Sequence, residues 1–171
     1  MKNMALARSH QSYVAILYIA TMVLSLTGCA LNPDRLALGA SRDEVLRIYG
    51  APTADIALAG GERLQYSRQP FGRQVYNIDL DAAGKVVAAN QALTESQFAL
   101  VRPDAWNAAD VELAFGKPAL VGQVYSFEGA VWSYRYNYFG TDKQFHVFID
   151  PSGVVRRTQA TQEIKSRPRR R

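Results

Sequence analysis

The sequence predicts an α+β fold with antiparallel sheets, arranged as two tandem units behind an export and lipid-attachment segment. Three observations predict it. Short helices with clear caps alternate with strand-like runs. The runs are joined by connections too short for crossovers, and landmarks of the first half recur 66 to 69 residues later.

The chain begins with Lys2, Arg8 and His10 ahead of a mainly apolar run from about Tyr13 to Leu26, which is the layout of a secretory signal peptide. The alternatives are a plain transmembrane anchor or an uncleaved signal. The run is shorter than the roughly 20 residues that span a bilayer, and Thr21 and Ser25 interrupt it. Leu26-Thr27-Gly28-Cys29 follows, with the only cysteine of the chain. This ending resembles the lipobox of bacterial lipoproteins, which implies removal of residues 1–28 and a diacylglyceryl group on the sulfur of Cys29. In such lipoproteins an Asp after the cysteine favours the inner membrane, so Ala30 points to the outer one. Residues 29–37 then form a lipidated N-terminus and linker.

Residues 38–93 read as the first unit. Ser41 and Glu44 have the spacing of a capping box, Val45, Ile48 and Tyr49 share a helical face, and Gly50 with Pro52 ends the helix at about residue 49. Strand-like runs follow, separated by Gly60-Gly61, Pro70-Phe71-Gly72 and Asp81-Ala82-Ala83-Gly84, and such short connections imply an antiparallel meander. Residues 94–160 repeat the programme. Thr94 with Gln97 opens a short helix and Asn107 with Asp110 another, through Phe115. Gly116-Lys117-Pro118 matches Gly50-Ala51-Pro52, and Asp150-Pro151-Ser152-Gly153 matches Asp81 to Gly84. A repeat of this length indicates a duplicated subdomain.

The net charge of +5 is misleading, because five basic residues lie between Lys165 and Arg171 and two more in the signal segment. Residues 29–164 carry 13 basic and 15 acidic side chains. A body of that balance excludes a basic nucleic-acid-binding face. The tail, 161–171, reads as a solvated end, with contact to an anionic surface as the second reading.

Catalytic residues are not found. His146 is the only histidine after the signal segment, no Gly-x-Ser-x-Gly or Ser-x-x-Lys motif places a serine beside it, and no set of metal ligands converges. The expectation is a protein that is not an enzyme and needs no cofactor or metal. The most interaction-prone stretch is Trp132 to Tyr138, whose aromatic side chains share one face of a strand. Packing that face into the core leaves Arg135 and Asn137, with His146 from the neighbouring strand, as candidate partner-binding residues on the open face.

Gly39-Ala40-Ser41, Asp43-Glu44-Val45, Gly50, Pro52 and the Asp81-x-x-Gly84-x-Val86 turn, behind a lipobox, resemble the SmpA/OmlA type of lipoprotein. That type includes the BamE-like subunit of the β-barrel assembly machinery. The second half repeats the pattern with Val111, Gly116, Pro118, Trp132, Tyr134 and the Asp150 to Val155 turn. Together the halves resemble the tandem, helix-helix-sheet architecture of β-lactamase-inhibitor-like proteins. The resemblance implies two tandem helix-helix-meander units in a protein anchored to the outer membrane and facing the periplasm. Its function would be scaffolding or protein binding in outer-membrane assembly or envelope maintenance. The implied partners are the bilayer and envelope proteins, β-barrel assembly components among them. An inhibitor-like module docking on an exported enzyme is the alternative, and an envelope hydrolase the competing class.

Overall fold

Ser41 Oγ accepts the amide of Glu44 and so opens helix α1 (Arg42–Tyr49), which stops at Gly50, a residue held at φ 75°. The structure is a computed structural model describing residues 36–163; Cys29, the signal segment and tail residues 164–171 lie outside the described residues. After α1 come β1 (Ala54–Leu58), β2 (Gly61–Ser67), β3 (Val75–Asp81) and β4 (Val86–Gln91), which pair antiparallel in chain order as sheet 1. Helices α2 (Glu95–Phe98) and α3 (Ala108–Phe115) follow. Then β5 (Leu120–Val124), β6 (Phe127–Tyr138), β7 (Thr141–Ile149) and β8 (Val155–Gln162) form sheet 2, again in chain order.

The two units share their bonding, landmark by landmark. The residue before each long helix bridges to the residue after the last hairpin turn, Ser41 to Lys85 and Asn107 to Val154. The buried Tyr66 hydroxyl donates to the Gly50 carbonyl at 3.0 Å, and that of Tyr134 to Gly116 at 2.8 Å. Asp81 Oδ1 accepts the amides of Ala83 and Lys85, and Asp150 Oδ1 those of Ser152 and Val154. Each turn is thus held by its own aspartate, as Asx chemistry allows.

The expectation of two helix-helix-meander α+β units of the BamE-like or β-lactamase-inhibitor-like kind is overturned. Strand accounts for 49% of the described residues and helix for 16%, so the body is mainly antiparallel β. Among the described residues the first unit has one helix, and α2 is a single turn. Helix caps mark where helices begin and carry no information on how far they run. The eight-residue helices bury only Val45 in α1 and Val111 and Phe115 in α3, so most of the buried apolar side chains come from the strands.

Alternation along the strands decides what packs where. In sheet 1, Leu64 and Tyr66 pair with Ile78 and Tyr76 on the face that receives α1, where Tyr49 meets Tyr66 at 5.8 Å between ring centroids. The opposite face carries Arg63, Gln65, Val75, Asn77 and Asp79. Val75 joins the main core with Phe98, Val111, Phe115, Tyr134, Tyr136, Phe145 and Val147. The layers therefore run α1, sheet 1, α2 with α3, and sheet 2. The aromatic row of β6 faces inward: Tyr134 and Tyr136 are fully buried, Trp132 packs against the same core and Tyr138 emerges at the end.

Polar side chains join sheet 1 to α3. Arg63 donates to the Leu113 carbonyl at 2.9 Å and pairs with Asp79 at 2.6 and 2.8 Å. The buried Asn77 donates to the Ala114 carbonyl at 2.8 Å, and the buried Gln65 to Asn77 at 3.0 Å. Replacing Arg63→Met leaves a largely covered carboxylate unpaired and the Leu113 carbonyl with only the 3.4 Å hydrogen bond from Gln65, with an expected loss of roughly 1–3 kcal/mol in urea denaturation. The double variant Arg63→Met/Asp79→Leu, which removes both charges, is expected to regain part of it.

Candidate functional site

The three residues expected to meet a partner, Arg135, Asn137 and His146, lie on the outer face of sheet 2, and each is engaged within the chain. His146 Nδ1 is 2.8 Å from Ser133 Oγ, and its Nε2 is 2.8 Å from Thr161 Oγ1. A neutral imidazole, donating from one nitrogen and accepting at the other, satisfies this row. Burial holds the His146 pKa below its ordinary value, which favours that neutral form.

A serine beside a histidine invites a hydrolase reading, which two observations oppose. The third group is a threonine hydroxyl, where a triad places a carboxylate to orient the ring and stabilise its charged form. In addition, Ser133 pairs with His146 at the ladder position where Gln65 pairs with Asn77 in sheet 1. A cross-strand polar pair at the matching position of each sheet is sufficient to explain the contact.

Asn137 closes the β6–β7 turn, accepting the Gly140 amide at 2.9 Å and donating to Asp142 at 3.2 Å. Arg135 serves as a junction. Its guanidinium pairs with Glu163 and donates to the Pro70 carbonyl, while its backbone N–H and C=O both bond the Gln69 carboxamide. Gln69 thereby caps β6 where β5 no longer pairs with it. Arg73, from the same β2–β3 loop, reaches Asp142 at 2.9 Å and Glu163 at 2.8 Å. Burial alone would raise the Glu163 pKa, but the hydrogen bonds and charges of Arg135 and Arg73 outweigh it and hold the carboxyl below its ordinary value.

Among the described residues, a cleft of about 580 Å³ lies between sheet 1 and α3. Ala54 and Ile56 of β1 and Pro70 line one side; Ala109 and Leu113 of α3 and Pro118 line the other. Glu112 and Lys117 also border it, and neither forms an ion pair among the described residues. Such a lining, apolar with a few polar groups, suits an apolar segment with a charged or polar end. The described residues contain no group of three or more potential metal ligands, and no helix among them is long and apolar enough to cross a membrane.

Sequence reasoning missed this cleft because its walls come from β1, the β2–β3 loop and α3. The available signal was in α3 itself. Val111 and Phe115 enter the core from one side while Ala109 and Leu113 are apolar on another, more than a helix with a single covered face requires.

The neutral His146 makes a pH prediction. A histidine whose pKa is lowered by folding stabilises the fold fully above its unfolded value, about 6.5, and loses that contribution as pH falls toward the folded value. Melting temperature is expected to fall on acidification from pH 7 to pH 5, and His146→Gln is expected to flatten that part of the profile.

No family model and no curated protein matches the chain. Among solved structures, a DUF4309 family protein (YjgB) from Bacillus subtilis is similar over 80% of this chain and 84% of its own, at 12% identity and a TM-score of 0.31.

Proposed function

We propose that the protein is a lipid-anchored, non-catalytic binding module at the outer membrane, serving envelope maintenance through contacts with other envelope proteins. Support for the anchor comes from the signal-like segment ending at Cys29, and support for binding comes from the fold. The observation that carries the reading is the cleft between sheet 1 and α3, mainly apolar in its walls and bordered by Glu112 and Lys117, neither of which forms an ion pair among the described residues. The outer face of sheet 2 supports it less well, since Arg135, Asn137 and His146 already bond within the chain. An anchored module works at raised local concentration, so a modest affinity suffices for occupancy.

The partner is read as an extended, largely apolar segment of an envelope protein, seated along β1 and α3. A photo-crosslinker at Ile56 or Leu113 of the full chain is expected to capture the same protein from both positions, and one at the exposed Gln159 is not. Filling the cleft with Ala109→Trp should reduce capture at Ile56 about tenfold. Equal capture at Gln159, or capture indifferent to Ala109→Trp, would remove the cleft as the site. The anchor has its own test: Cys29→Ala abolishes fatty-acid labelling, and labelling that persists contradicts the lipid assignment.

A further inference from the structure

Each sheet has two edges, and they are finished differently. The outer edge of β4 is closed by the segment ahead of α1: the Gly39 amide donates to the Val86 carbonyl at 2.8 Å, and the Val86 amide to the Ala40 carbonyl at 2.9 Å. The segment ahead of α3 closes β8 in the same way, through Asp104 and Trp106 on Val155 at 2.7 and 2.9 Å. β1 and β5, the first strands of their sheets, receive no such segment. Among the described residues, the main chain of Ala54–Leu58 has no backbone hydrogen bond outside its ladder with β2. Exposed edges are commonly blunted by proline or lysine, and β1 has neither.

The open edge of β1 borders the cleft. Ala54 and Ile56 pair with Gln65 and Arg63, whose side chains reach α3, so both lie on the face of sheet 1 that forms one wall. The other wall is α3, with Ala109 and Leu113 one turn apart. A chain extended along the edge of β1 therefore continues sheet 1 and turns every second side chain into the cleft. An acyl chain would fill the apolar volume but leave the N–H and C=O groups of the edge, with Glu112 and Lys117, unmatched. β5 is open too, but among the described residues no helix covers the outer face of sheet 2 to supply a second wall. The two charges give the cleft a direction. Arg63, partner of Ile56, bonds the Leu113 carbonyl, while a Cβ at Gly116 would lie 2.7 Å from Oε1 of Gln65, partner of Ala54. Lys117 thus sits at the Ala54 end. Glu112 lies five residues earlier, roughly 7 Å away at helical rise, which is the spacing of neighbouring side chains on one face of a strand.

We propose that β1 accepts an extended segment of the partner protein as a fifth strand of sheet 1. The segment runs antiparallel to β1, with alternate apolar side chains in the cleft, a basic side chain on Glu112 and, two residues later, an acidic one on Lys117. All the strand ladders among the described residues are antiparallel, and antiparallel pairing is the slightly more stable kind. An antiparallel segment finishes toward Ala54, which is why the basic residue precedes the acidic one. Main-chain bonds supply affinity and the side-chain pattern selects the sequence, as when a strand adds to an exposed sheet edge. Strand addition rests on the cleft being the binding site, and the cleft can hold a segment without it.

Titration calorimetry on the full chain tests this with an end-blocked peptide, Thr-Val-Thr-Val-Thr-Lys-Thr-Glu-Thr, whose Val, Lys and Glu side chains share one face when extended. A second peptide exchanges the Lys and the Glu. It is expected to bind about fivefold more weakly, and the double variant Glu112→Lys/Lys117→Glu should reverse the preference. N-methylation of one amide at a time separates main-chain pairing from side-chain contact, because adjacent amides of a strand point to opposite sides. Methylation at one of two neighbouring central residues should weaken binding about tenfold, and at the other less than about twofold. The peptide comparisons use the unaltered protein, so a loss of folding cannot mimic them. Equal loss at both methylated positions, or loss at neither, overturns strand addition, and so does equal affinity for the two peptides. Binding indifferent to Ala109→Trp lies outside the cleft and overturns it as well. Absence of binding by either peptide up to about 1 mM does the same. Capture of one protein from both Ile56 and Leu113 would in that case leave the cleft as the binding site, occupied in another way. Dodecanoate bound where the peptides are not assigns the cleft to an acyl chain, and a crosslink at Ile56 joining two copies of the chain assigns the edge to self-association. Either result overturns the proposal.

Discussion

The C-terminal end of α3 rests on polar side chains of the other unit, and the layering of the molecule follows from that contact. The last carbonyls of a helix lack partners within it. Here those of Leu113 and Ala114 take hydrogen bonds from Arg63 and Asn77 across the gap to sheet 1. Buried polar groups are costly when unpaired, so Gln65 and Asn77 hold the helix end and are in turn satisfied by it and by each other. This arrangement places α3 between the two sheets, lets Val75 enter the core of the second unit, and leaves the cleft beside β1 open.

The local chemistry of the turns and caps was legible in the sequence, because each depends on residues within four positions of one another. Asp81 and Asp150 organise their own turns, and Asn107 with Asp110 forms a reciprocal capping box. The inward direction of the β6 aromatic row was also legible, since an unpaired Arg135 could not have been placed in the core. The balance of helix and strand was not, because one turn of helix and three turns carry the same cap. Nor was the joining of the units. Arg63 and Leu113 are fifty residues apart, the walls of the cleft also come from distant parts of the chain, and the pairing of the Gln69 carboxamide with the backbone of Arg135 has no sequence signature.

The two sheets behave differently although they are bonded alike. At one ladder position sheet 1 carries Gln65 and Asn77, which are long enough to reach the neighbouring helix. Sheet 2 carries Ser133 and His146, which bond with Thr161 and close on themselves. In a stacked repeat, an internal face must bond to its neighbour and a terminal face must satisfy its own polar groups. Sheet 2 has the chemistry of a terminal face, and its Arg135 is paired with Glu163 in keeping with that role.

The chain enters the described body at the β3–β4 turn, where the Gly39 amide donates to the Val86 carbonyl, and leaves it beside the β6–β7 turn. With the β2–β3 loop held to β6 through Gln69 and Arg135, these points lie at opposite ends of the strands. Tension between the two termini therefore acts along the strands. It loads the seven register pairs of β7 and β8 together in shear, where a pull from one end would peel them apart one by one. The meander thus gives the body mechanical resistance in the direction in which a molecule held at both ends would be pulled.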